Sequence, residues 1–256
     1  MNNGLFGFFI GANVTINIQE FDITDPYKSN WVKPANAQLC FVEGTGGGAS
    51  GAGSAGTAGN RAGGSAGVAY PIILLASHLN DTEEVIIGAG GVGTQANVHG
   101  TGGDTTFAGF TWAGGFGGSA AGRTPFSGGI PTSNWGTGGA ASGTGTAVDG
   151  RHGGFGAGGG GRGATTAGNV GGKPRSFAFF AGAATPERSG GAPSMTDARP
   201  EYDIDGFGEG AGGGSGTNVG RKGRRGSGGG GCGGTGTLKE GGNGGDGFLR
   251  VITYCW

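Results

Sequence analysis

The sequence predicts a mainly irregular/β fold, a bundle of extended left-handed polyglycine-II-type helices framed by short β-strands. Three observations carry that expectation. Glycine fills 71 of 256 positions, about four times its usual share of ~7%. Phe, Ile, Val and Leu together make only 44 positions, about 17% against the ~20% expected of ordinary cores, so no conventional aliphatic core is expected. The glycines also recur with a local period of three, which is the period neither of an α-helix nor of a strand.

The first 43 residues read as an N-terminal β segment for attachment and assembly. Asn13-Val14-Thr15-Ile16-Asn17-Ile18 alternates polar and apolar, and Gln38-Leu39-Cys40-Phe41-Val42 is an apolar run; both fit strands. Residues 44–247 form the glycine-rich body. Within it, Tyr70 to Leu79 and Val85-Ile86-Ile87 are conventional apolar stretches. Pro71-Ile72-Ile73-Leu74-Leu75-Ala76 fits either a strand or a short buried helix, because periodicity does not separate the two at this length. Residues 248–256, beginning Phe248-Leu249-Arg250-Val251, read as a closing strand.

Between these stretches the three-residue spacing appears at Gly53, Gly56 and Gly59; at Gly150, Gly153, Gly156 and Gly159; at Gly220, Gly223, Gly226 and Gly229; and at Gly241, Gly244 and Gly247. An extended helix of three residues per turn places each such set on one edge. That conformation makes no internal hydrogen bonds, so buried amides must bond to neighbouring segments, and an edge without Cβ atoms lets those segments approach. These are therefore the structural glycines. Collagen needs an unbroken Gly-X-Y repeat rich in proline, whereas here the register breaks repeatedly and only 9 prolines are present.

The breaks hold the aromatic, charged and proline residues that a glycine lattice would exclude. Arg123 to Trp135 and Lys173 to Asp205 are the richest, and they are expected to be exposed loops, where binding usually resides on rigid scaffolds. The candidate contact residues are Arg123, Phe126, Trp135, Phe177, Phe179, Phe180, Arg188 and Tyr202. The three phenylalanines fit equally a contact platform or a small cap over the glycine segments.

Composition excludes several classes. A net charge of -1 gives no counterion-releasing surface for nucleic acid or anionic membrane, and it also speaks against disorder, which usually accompanies high net charge. Cys40, Cys232 and Cys255 are far apart with no CxxC, so neither a disulfide framework nor a zinc site is signalled. The apolar start, Met1 to Ile10, lacks the basic region of a signal peptide, and no run reaches the ~18 apolar residues of a membrane span. The expectation is a soluble protein made in a cytoplasm.

No catalytic residue, metal or cofactor is expected. Chance alone yields several GxGxxG matches at this glycine content, so they carry no nucleotide signal. Gly172-Lys173 is followed by Pro174, which removes the hydroxyl of a phosphate loop. His78, His99 and His152 are dispersed, with no HExxH and no nucleophile elbow. Arg221-Lys222-Gly223-Arg224-Arg225 is similar to an RGG-type segment, but it sits in the glycine spacing and reads better as a solvated face.

A family resemblance joins several of these pieces. Asn30-Trp31-Val32-Lys33-Pro34, Leu39-Cys40-Phe41-Val42-Glu43 with its glycine run, Val85-Ile86-Ile87-Gly88, Gly102-Gly103-Asp104-Thr105-Thr106-Phe107, and Gly241 to Val251 occur in order over residues 30–256. This set resembles the glycine-rich tail proteins and distal tail-fibre adhesins of bacteriophages. The resemblance implies a virion protein at a tail or fibre tip whose loops bind a bacterial outer-surface receptor, protein or glycan. It implies a phage fibre or tail protein as a second partner and allows a homotrimer. Residues 1–30 differ from the fibre-docking domain of those adhesins, which leaves the attachment unassigned. The alternative expectation is a virion component without a receptor role in tail, baseplate or capsid decoration. An ice-binding glycine protein would need a flat face of small residues, and the bulky loops speak against it.

Overall fold

The alternation at the start of the chain and the apolar run at its end meet in one sheet. The computed structural model describes residues 14–23, 28–55, 63–95, 98–116, 220, 222–223, 225–232 and 238–256. Strand β1 (Thr15–Phe21) pairs antiparallel with β10 (Phe248–Cys255); β10 pairs with β3 (Ala37–Thr45), and β3 with β5 (Ala69–Leu75). The second four-stranded sheet has the order β2 (Lys28–Val32), β6 (Thr82–Ile86), β7 (Thr105–Phe107), β8 (Phe110–Trp112), all antiparallel. The short β4 (Ser54–Ala55) and β9 (Leu238–Lys239) form a separate pair. The ambiguous Pro71–Ala76 stretch is mostly strand, ending in a single 3-10 turn at Ala76–His78.

These ladders correct the expected fold class. Among the described residues the chain is β-rich, organised by two antiparallel sheets, and its helical content is that one 3-10 turn; the polyglycine-II-type bundle framed by strands is not the fold observed. A conventional core is also present. Its physical basis is concentration: the few apolar residues cluster in the strands, so that both sheets contribute to one buried group that includes Trp31, Val42, Val85, Ile87, Phe107, Trp112, Leu249 and Val251. Trp31 meets the Phe107 ring edge-on with centroids 5.7 Å apart, and Trp112 stacks on Tyr70 at 5.2 Å while donating its indole N–H to the Tyr70 carbonyl at 2.7 Å. The absence of a Cβ at Gly44 makes room for the Trp112 ring.

The other face of the first sheet is different. Cross-strand register aligns Ile18, Ile252, Phe41 and Ile73 in one row and Ile16, Tyr254, Leu39 and Leu75 in the next. A third row holds Glu20, Arg250, Glu43 and Pro71, with Arg250 at 2.8 Å from Glu20 and 3.2 Å from Glu43.

Glycine-rich segments extend the strands. Residues 46–53 follow β3, 87–95 follow β6 and 113–116 follow β8, while 63–68, 98–104 and 240–247 lead into β5, β7 and β10. A further segment, 227–232, is entered by a turn at Arg225–Gly226, both with positive φ. The segment Gly46–Gly51 lies at the centre. Gly46 and Ala49 donate to the carbonyls of Val68 and Ser65, Gly47 and Ser50 to Gly103 and Gly100, and Gly48 and Gly51 to Gly245 and Gly242, at 2.7–3.0 Å. Its carbonyls accept from three more segments, through Gly115 to Gly47, Gly91 to Gly48 and Gly229 to Ala49. A pleated strand sends its amides to two sides; here they rotate through three, and every residue from Thr45 to Gly53 is buried.

Close approach follows. A Cβ built on Gly48, Gly51, Gly91, Gly241 or Gly244 falls closer than 3.0 Å to a backbone carbonyl of a neighbouring segment. Gly244→Val is therefore expected to cost at least about 3 kcal/mol, because the backbone of Gly48 and Ala49 that its Cβ would meet cannot yield as a side chain can; thermal unfolding would show loss of the cooperative transition. The β7–β8 hairpin offers the opposite sign. Its two-residue turn, Ala108–Gly109, has φ of 48 and 79, a geometry that favours Asn at the first position. Ala108→Asn is expected to stabilise the fold by about 1 kcal/mol, read as a higher melting temperature.

Candidate functional site

The segment directions divide the molecule into two ends. At one lie the sheets. At the other lie residues 53 and 63, 95 and 98, 116 and 220, and 232 and 238, at the limits of the described glycine segments. This far end is fastened by backbone bonds: Cys232 to the Ala52 carbonyl at 3.0 Å, Gly241 to Thr94 at 3.2 Å, Gly220 to Glu240 at 3.0 Å, and Ser65 to Phe116 at 3.4 Å. The β4–β9 pair joins two further stems here. Phe116 and Gly220, the described residues on either side of 117–219, are thus each held by the layer. Val92, Val98 and Phe116 are more than half exposed in these far segments, so this end carries exposed apolar surface.

Short polar side chains at the ends of glycine runs hold the layer in register. Asp246 accepts from the Gly90 amide at 2.7 Å, Asp104 from Gly114 at 2.8 Å, and Asn243 from Gly93 at 2.8 Å. The Ser50 hydroxyl accepts from Gly100 at 2.7 Å, and His99 Nδ1 lies 2.8 Å from the Ser50 carbonyl. Burial lowers the His99 pKa below its ordinary value, and the hydrogen bond to Ser50 opposes that only in part.

The sequence-predicted site residues fall in two groups. Arg123, Phe126, Trp135, Phe177, Phe179, Phe180, Arg188 and Tyr202 lie outside the described residues, as do Gly150, Gly153, Gly156 and Gly159. Gly220, Gly223, Gly226, Gly229, Gly241, Gly244 and Gly247 are described, and at each an added Cβ would press on neighbouring atoms inside 3.0 Å. In the basic stretch, Lys222 Nζ lies 3.6 Å from Asp246 and the Arg225 guanidinium sits 4.8 Å above the Phe248 ring. Cys40, Cys232 and Cys255 are buried thiols, and burial raises the Cys40 pKa despite its contact with Thr253.

The sheet end carries a shallow cleft of about 460 Å³ lined by Lys33, Asn36, Gln38, Leu75 and Asp81 among others. Its one cation is engaged, with Lys33 Nζ at 3.0 Å from Asp81 and 2.9 Å from the Leu79 carbonyl. Among the described residues no cluster of three or more His, Cys, Asp or Glu is arranged around a common point. The register residues Asp104, Asn243 and Asp246 are the part that sequence reasoning overlooked, although each follows a Gly-Gly pair and is the first non-glycine residue able to accept a hydrogen bond there.

The pH dependence follows from His99. Its folded pKa is depressed, so below about 6.5 the unfolded chain binds the proton more readily and stability falls with pH. Melting temperature is expected to decline between pH 7.5 and 5, and His99→Gln is expected to flatten that decline; an equally steep decline in the variant would remove His99 from the account.

Comparison with family models matches residues 24–254 to a glycine-rich domain. A search of curated proteins gives no match.

Proposed function

The chain belongs to the glycine-rich domain family, and we propose that it is the receptor-binding tip of a bacteriophage tail fibre, a non-enzymatic adhesin of the virion. One observation supports this reading most: both stems of residues 117–219, which hold the candidate contact residues, are bonded into a closely packed glycine layer at the end remote from the sheets. Rigid stems lower the ordering cost of a binding loop, and preorganisation raises affinity without adding contacts. Aromatic and arginine residues are the types that dominate interface energy, and residues 117–219 include Trp135, Phe177, Phe179, Phe180, Arg123 and Arg188. The partners on this reading are a bacterial outer-surface protein or glycan and a phage fibre or tail protein.

The test is binding of the labelled protein, displayed multivalently to compensate for weak single contacts, to a panel of bacterial strains, with competition against phage adsorption. Saturable binding to a subset of strains that blocks adsorption is expected. Replacing Phe177, Phe179 and Phe180 together with Ala is expected to weaken binding roughly tenfold or more with an unchanged melting temperature. Absence of binding by the folded, multivalent protein would replace the adhesin with a virion component that has no receptor role.

A further inference from the structure

We propose that the outward face of the first sheet is a self-association surface, occupied by the same face of a second copy of this chain. Four of its residues, Ile16, Ile18, Ile73 and Leu75, are 52–66% exposed although they stand in two unbroken apolar rows. The strand sequences point the same way. Leu39-Cys40-Phe41-Val42, Ile72-Ile73-Leu74-Leu75 and Val251-Ile252 are continuous apolar runs, the pattern of strands covered on both faces. The inner face is covered by the second sheet, and the outer face is not covered to the same degree.

The identity of the occupant follows from area and charge. Eight side chains in two rows make an apolar patch of a few hundred Å², the size at which exposed patches mark interaction sites. Two such patches in contact remove about 1,000 Å², enough to count as a specific interface. The bordering charges Glu20, Arg250 and Glu43 pair with one another within the sheet and leave one carboxylate's charge over, so the face is mainly apolar and carries no cluster of like charges that would select a charged foreign partner. Interfaces between identical subunits are the more apolar class, and a net charge of -1 opposes the approach of two copies only weakly. A two-fold arrangement would stack the sheets about 10 Å apart, as in a β-sandwich. The inference is independent of the adhesin reading, since it concerns the end opposite the stems of residues 117–219.

The experiment is sedimentation equilibrium on the full chain and on two variants, one carrying Ile18→Glu with Ile73→Glu and one carrying Ile18→Lys with Ile73→Lys. The wild type is expected at twice its 24.6 kDa mass in the micromolar range. Each variant is expected to be monomeric, with dissociation at least roughly a hundredfold easier, and to keep the wild-type circular dichroism. Mixing the Glu and Lys variants is expected to restore a dimer, which a misfolded protein would not do. A wild-type monomer at tens of micromolar overturns the proposal, whether the face then takes a foreign protein or the chain's own first residues. Variants that remain dimeric place the interface elsewhere and overturn it too.

Discussion

Backbone amides in the interior need partners, and in Gly46–Gly51 those partners rotate through three neighbouring segments in turn. The rest of the structure depends on that constraint. Each bond contributes only about 1 kcal/mol net, but leaving a buried amide unpaired costs about 1–3 kcal/mol. The central segment therefore holds its neighbours by the penalty of losing them as much as by the bonds themselves. Three-way bonding also brings backbones together at distances that exclude a Cβ, which is why glycine is required at Gly48, Gly51 and Gly244 for space.

The two sheets and the glycine layer solve different problems with the same strands. Near the sheets, side chains from β3, β6, β7, β8 and β10 bury one another in an ordinary apolar core. Beyond residues such as Thr45 and Ile87 the same chains lose their side chains and continue as hydrogen-bonded backbone. A strand pair of ordinary length ends where its core ends, but here backbone bonding carries the ordered region farther out. Asp104, Asn243 and Asp246 fix the register of that extension through single side-chain acceptors. Phe116 and Gly220, the described residues on either side of 117–219, then lie at the far end, and the apolar sheet face at the near one.

Alternation made β1 legible, and apolar runs marked the middle of β3 and most of β10, because those strands each carry side chains that report which way they face. Other strands left weaker traces. β2 holds Lys28-Ser29-Asn30-Trp31-Val32, in which one buried tryptophan takes the place of an alternating pattern. The β7–β8 hairpin turns on Ala108–Gly109 and lacks the Asn-Gly that usually marks such a turn. The low apolar content misled because a fraction averaged over the chain hides how tightly Trp31, Phe107, Trp112 and Leu249 are gathered. Within the glycine tracts the spacing identifies Gly241, Gly244 and Gly247, yet not their neighbours, since a residue without a side chain leaves no complementary mark on its partner. The same limit applies to the site: the position of its stems, Phe116 and Gly220, came from hydrogen bonds that the sequence does not encode locally.

Hydrogen exchange of the Gly46–Gly51 amides, followed by NMR in the native protein, tests the central claim most directly. If three-way bonding of this segment underlies the fold, these six amides exchange only through global unfolding, with protection equal to that of Val42 and Val251 in the sheet core. Exchange of Gly46–Gly51 several orders of magnitude faster than that of Val42 would show a glycine layer that opens while the sheets remain intact, and would contradict the account.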